Sequence, residues 1–159
     1  MSVVKQLSGK DHDLIINYFD RTICDQYRGF IDPYVTKASE FSAFIIKDNL
    51  FNYRNLYYSN LDCTEMLCVK LRKKPQNSLI ADVVFADFIT DENFVKALES
   101  AFNDIKRGYN NINKINICLL EEDISKYQDR LNILDFSCEV LYQDEFGLGN
   151  NVIVYSRYL

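Results

Sequence analysis

Apolar residues follow two periods along this chain, and the change from one to the other divides it. Leu14, Ile15, Tyr18, Phe19 and Ile23 recur at helical spacing. Before them Val3 to Leu7 reads as a short strand. Ser8-Gly9-Lys10-Asp11 resembles a capping box, with Asp11 in the place of the usual Glu. Gly29 to Pro33 is a break, because a proline disfavours helix at the preceding Asp32. A second helix is predicted with Phe41, Phe44 and Ile45 on one face.

The period then shortens. Leu56 to Leu61, Met66 to Leu71 and Leu79 to Ile89 read as strands joined by hairpins. The first part of the third, Leu79 to Phe85, is almost continuously apolar, as expected of a central strand. Thr90 caps the strongest helix. Asp91 and Glu92 fill its first turn, Phe94, Val95, Leu98, Ala101, Phe102 and Ile105 form its stripe, and Lys106 and Arg107 precede the terminating Gly108. Ile115 to Leu120 is a strand. Ile124, Tyr127, Leu131 and Leu134 mark a further helix, and Ser137 to Gln143 and Val152 to Tyr158 are the last two strands. The order is β-α-α-β-β-β-α-β-α-β-β. Leu79–Leu120 forms a parallel β-α-β unit, so an α/β fold with a mixed sheet and helices on both faces is expected.

Composition narrows the picture. The chain has 159 residues, 48% hydrophobic and 14% aromatic, which suits one domain over 1–159. No internal repeat or low-complexity tract interrupts it. A net charge of -5 argues against nucleic acid as a partner. The one basic run, Lys70, Arg72, Lys73 and Lys74, ends in Pro75-Gln76-Asn77 and reads as a solvated hairpin tip. No apolar run is long enough for a membrane span. Five cysteines without a CxxC pair, and no leader-like start, predict a reduced, cytoplasmic protein with Cys residues acting as small hydrophobes. A single histidine, His12, offers no metal-ligand set.

Element order and the C-terminal third carry a family resemblance. Leu131-Asn132-Ile133-Leu134-Asp135-Phe136-Ser137-Cys138-Glu139 is similar to the helix-Leu-Gly-Phe-strand passage of the GCN5-related N-acetyltransferases (GNATs), with Asp135 at the glycine. Asp144-Glu145-Phe146 through Val152-Ile153-Val154-Tyr155-Ser156-Arg157 resembles their last hairpin. The resemblance implies direct transfer of an acetyl group from acetyl-CoA to an amine of unknown identity. It also implies that the strand Leu79–Ile89 and the turn after it hold the cofactor, here through Phe85, Asp87, Phe88, Ile89, Thr90, Asn93, Phe94 and Val95. The family's R-x-x-G-x-G/A pyrophosphate motif is absent from Thr90-Asp91-Glu92-Asn93-Phe94-Val95, which has two carboxylates and neither Gly nor Arg. Two explanations stand: the pyrophosphate is held differently, or the domain has lost the cofactor and keeps the scaffold.

Acyl transfer needs a base for the amine and an acid for the thiolate. Asp82 is the candidate base, against a reading in which it pairs with Lys or Tyr or faces solvent. Asp87 is expected on the opposite face of the same strand. The resemblance places the acid near Arg130 or Leu131, where no Tyr stands; Tyr127, one turn earlier, and Tyr142 or Tyr155 are the alternatives. Tyr27, Arg28, Phe30 and Tyr34 are expected to form an acceptor lip, or else a loop covering the sheet. The loop Asp144 to Asn151 is expected at the same groove, making it acidic and suited to a cationic amine. Three functional readings follow: an N-acetyltransferase, a non-catalytic module of the same fold binding a small ligand or protein partner, or a homodimer through the last hairpin.

Overall fold

A computed structural model describes residues 3–27, 29–36, 42–51, 54–72 and 79–159. The elements are β1 (Val4–Leu7), α1 (His12–Thr22), β2 (Phe30–Ile31), α2 (Pro33–Thr36), α3 (Ala43–Leu50), β3 (Asn55–Asn60), β4 (Met66–Leu71), β5 (Ile80–Asp87), α4 (Asp91–Gly108), β6 (Lys114–Leu120), α5 (Ile124–Ile133), β7 (Ser137–Tyr142) and β8 (Val152–Tyr158). The sheet runs β1-β3-β4-β5-β6-β8-β7, with β2 paired to β5 alone. β5 and β6 are parallel, and the other pairs are antiparallel.

The helices divide between the two faces, as the period reading expects. Phe94, Leu98, Phe102 and Ile105 of α4 and Leu131 of α5 pack on Leu67, Val69, Val83 and Ile117. Ile15, Tyr18 and Phe19 of α1 with Ile46 and Leu50 of α3 pack on Met66, Cys68, Val84 and Phe85. Among the described residues, no helix is long and apolar enough to cross a membrane.

Local signals explain the element ends. Asp11 accepts from the Ser8 N–H at 2.8 Å, and Ser8 accepts from the Lys10 N–H at 3.3 Å. Asp135 closes α5 with φ 56, in the left-handed region where the family's glycine is at ease. The following Phe136 N–H reaches back to the Leu131 carbonyl at 3.0 Å.

Several expectations are corrected. The break at Gly29–Pro33 contains the strand β2 and the start of α2. On α3 the buried side chains are Ile46 and Leu50, while Phe44 and Ile45 are exposed; Phe41 lies outside the described residues. Leu14 is exposed on α1. Cys24 and Cys138 are exposed, and Cys63, Cys68 and Cys118 are buried. Lys73 to Asn77 lies outside the described residues, and Lys70 and Arg72 line a cleft.

The most consequential correction concerns β5. Its register against β4 runs Val69↔Val83 and then Cys68↔Phe85, so Val84 is an extra residue in a bulge. The bulge reverses the alternation of faces. Val84 and Phe85 both pack against the α1 and α3 side, while Val83 and Ala86 pack on the other. Asp82 and Asp87 therefore share one face.

Candidate functional site

β5 and β6 pair over Ile80–Val83 and Lys114–Ile117 and then part. β2 lies in the opening. It pairs with β5 through Phe30↔Ala86 and Ile31↔Phe85, and the Asp32 N–H donates to the Val84 carbonyl at 2.9 Å. β4 holds the other edge of Phe85 and Ala86, so β2 takes the edge that faces β6. A cavity of about 340 Å³ remains between β2 and β6, walled by Phe30, Ile31, Leu119, Tyr127 and Phe146. Phe30 meets Tyr127 edge-on at 5.5 Å, and Tyr34 meets Phe146 at 5.3 Å, so the 144–151 loop does close on the lip.

The turn from β5 into α4 is held from inside. Thr90 accepts from the Asn93 N–H at 3.2 Å. Glu65, only 3% exposed, accepts from the Ile89 N–H at 2.9 Å and from the Asn93 side-chain amide at 2.8 Å. Asp91 pairs with Arg130, whose guanidinium lies over the rings of Phe94 and Tyr127 at 5.4 and 5.5 Å. Phe85, Phe88 and Phe94 are core residues, Val95 packs against the core, and the Ile89 side chain is exposed. Asp87 accepts from the Tyr18 hydroxyl at 2.6 Å; burial first, and then that bond, push the Tyr18 phenol up.

On the other side of the sheet opening, face and register build a second cavity of about 760 Å³. Lys70, Asp82, Asn116 and Ser156 are successive register neighbours on β4, β5, β6 and β8, so one polar row crosses four strands. Arg72 grips Asp82 with Nε at 2.6 Å and Nη2 at 2.8 Å. Ser156 Oγ lies 2.8 Å from Asn116 Oδ1 and 2.5 Å from Glu139 Oε2. Hydrogen bonds from Lys114, Ser156 and Tyr158 hold the Glu139 carboxyl down at about 2. Three members of this row, Lys70, Asp82 and Asn116, line the cavity and form its floor.

Asp32 completes this cleft, and sequence reasoning missed it. It is 4% exposed, and its Oδ1 accepts from the Tyr34 N–H at 2.8 Å, with Pro33 in the first position of α2. Burial pushes its carboxyl up to about 7, and neighbouring Asp82 adds to the rise. The available signal was Asp-Pro as a helix start; the burial comes from β2 entering the sheet opening.

The predicted site residues thus separate. Asp82 and Tyr142 line the larger cleft, together with Tyr34. Tyr127 and Phe30 line the smaller cavity. Tyr27 stacks on Phe85 at 5.8 Å within the α1-side core. Arg28 lies outside the described residues. Tyr155 packs partly buried against the α4-side core.

No family model matches the sequence, and no curated protein does. Solved structures match over nearly the whole chain. A GNAT-family acetyltransferase from Streptococcus pneumoniae superposes with a TM-score of 0.67 at 8% identity, covering 100% of both chains. The ribosomal-protein-S5-alanine acetyltransferase from Vibrio fischeri gives 0.62 at 14% identity, covering 99% of this chain and 96% of that one. The ribosomal-protein-S18-alanine N-acetyltransferase from Escherichia coli gives 0.61 at 11%, covering 99% and 94%. The chain has the GNAT fold.

Acyl-CoA does not fit the residues that the family resemblance assigns to it. The strand edge that would meet the cofactor is taken at Phe85 and Ala86 by β2. The turn that would cradle a pyrophosphate gives the Ile89 N–H to Glu65, and Asp91 and Glu92 place two further carboxylates beside it. Asp91 and Glu92 in turn engage Arg130 and Lys96, so these two cations are already matched.

Proposed function

We propose that this chain is a non-catalytic GNAT-fold module that binds a small amine-bearing ligand in the cleft floored by the polar row. One observation carries the proposal: β2 occupies the edge of β5 beside the turn that Glu65 fills. The scaffold persists, its cofactor path is closed by the chain itself, and the polar cleft stays open. Asp32 is the group that would receive the ammonium. A buried carboxylate without a cationic partner gains most from a charged donor brought to it.

The second reading is direct acetyl transfer, with Asp82 as base and Tyr127 or Tyr142 as acid; the shared fold favours it. It meets two obstacles in the geometry. The Asp82 carboxylate is engaged by Arg72 in a bidentate pair, and Tyr127 stands in a different cavity.

Thermal unfolding with acetyl-CoA, CoA and simple amines decides between them. A ligand at ~100 times its Kd stabilises by about 2.7 kcal/mol, a shift of several degrees. Neither acetyl-CoA nor CoA is expected to move the midpoint at millimolar concentration. A dose-dependent shift with acetyl-CoA, joined to amine acetylation that Asp82→Asn abolishes, would restore the enzyme reading.

A further inference from the structure

The cleft holds two opposite charges that do not satisfy each other. The Asp32 carboxylate has one hydrogen bond, from the Tyr34 N–H, and no ion pair among the described residues. Lys70 is half-buried, and its ammonium group has neither a hydrogen bond nor an ion pair among the described residues. Both line the same cavity. Lys70 acts on the Asp32 carboxylate through space, yet the two make no direct bridge.

The charges between them are already matched. Asp82 belongs to Arg72, and Glu139 to Lys114. Keeping an unpaired carboxylate buried costs stability, so such a group marks a site built for a partner. The missing counter-charges are a cation at Asp32 and an anion at Lys70, within one cavity of about 760 Å³.

We infer that the ligand of this cleft is a small zwitterion, with its ammonium on Asp32 and its carboxylate or other anionic end on Lys70. This rests on the cleft being the ligand site proposed above, and it adds the second charge. Asp82 on β5, Lys70 on β4, Arg72 just after β4, Cys118 on β6 and Tyr34 on α2 are the titratable or charged groups that act on Asp32. Cys118 is a buried thiol that burial pushes up, so it remains neutral, and Asp82 stays matched to Arg72. The ammonium is therefore drawn to Asp32, and binding weakens as Asp32 becomes protonated.

Isothermal titration on the full chain, above the titration range of Asp32, tests this. The probes are glycine, β-alanine, 4-aminobutanoate, 6-aminohexanoate and the L-α-amino acids, with n-butylamine and butanoate as single-charge controls. At least one zwitterion is expected to bind about tenfold or more tighter than either control. Asp32→Asn, nearly isosteric, should erase its advantage over butanoate; Lys70→Met should erase its advantage over n-butylamine. If n-butylamine binds wild type as tightly as the best zwitterion, the inference fails while the amine cleft stands. If no probe binds at millimolar concentration, both fail. Circular dichroism of each variant confirms that a lost signal is not a lost fold.

Discussion

Ile89 gives its backbone N–H to the buried Glu65 carboxylate at 2.9 Å, at the point where β5 hands over to α4. The same carboxylate takes the Asn93 side-chain amide, so two donors of the turn end on one side chain. Glu65→Ala leaves both without their charged acceptor. Hydrogen bonds to charged groups are worth roughly 1.5–3 kcal/mol each in such deletions. The variant is expected to lose about 2–3 kcal/mol in urea unfolding, and amide exchange at Ile89 should accelerate. An unchanged midpoint would mean that solvent replaces Glu65 at no cost.

Asp32 sets a pH dependence whose sign is opposite to that of most carboxylates. Its folded value, about 7, lies above the ordinary ~3.9, so the native state holds its proton more tightly than the unfolded chain. Stability is unaffected by this group below about pH 4 and falls as pH rises through about 7, by roughly 4 kcal/mol if the whole shift is expressed. Asp32→Asn removes that slope. The variant should be more stable than wild type at neutral pH, with the difference closing as the pH is lowered towards 4. Parallel stability curves for the two proteins across this range would refute the assignment.

Asp135 occupies a left-handed position with φ 56 at the end of α5. A side chain there costs energy that glycine avoids, although Asp tolerates it better than most residues. Asp135→Gly should stabilise the protein by about 0.5–1 kcal/mol, read as a higher midpoint in denaturant. A loss of stability would show that the Asp135 side chain has an unrecognised partner.

The cysteines offer a direct check on packing. Cys24 and Cys138 are exposed; Cys63, Cys68 and Cys118 are buried, and burial pushes the Cys68 and Cys118 thiols up. An aromatic disulfide reagent should label two thiols quickly in the native protein and the other three only on unfolding. Fast labelling of Cys118 would mean that its cavities admit the reagent, and a bound ligand should then slow it.

The parts of this molecule that were legible in the sequence are those fixed by neighbours along the chain. Thr90 and the stripe from Phe94 to Ile105 announce α4, and Ser8 with Asp11 announces the entry to α1, because capping and helical spacing act within a few residues. β2 could not be read that way. Two residues show no period, and Phe30–Ile31 becomes a strand only because β5 offers an edge. The bulge at Val84 was equally silent, and with it the shared face of Asp82 and Asp87. The polar row depends on four strands meeting in one register, so Asn116 and Ser156 gave no sign of it separately. Asp32 looked like punctuation before a proline until tertiary packing buried it.

The extra residue in β5 has a reach beyond its own strand. β5 leaves β6 just where Val84 is inserted, after Val83↔Ile117. A bulge bends its strand, so the berth of Phe30–Ile31, the cavity beside Tyr127 and the position of Asp32 all follow from one residue of surplus length. Deleting Val84 would let β5 run on beside β6 and would leave β2 nowhere to lie. How much room this molecule offers a guest is thus set by a count of residues in one strand before any side chain has been chosen.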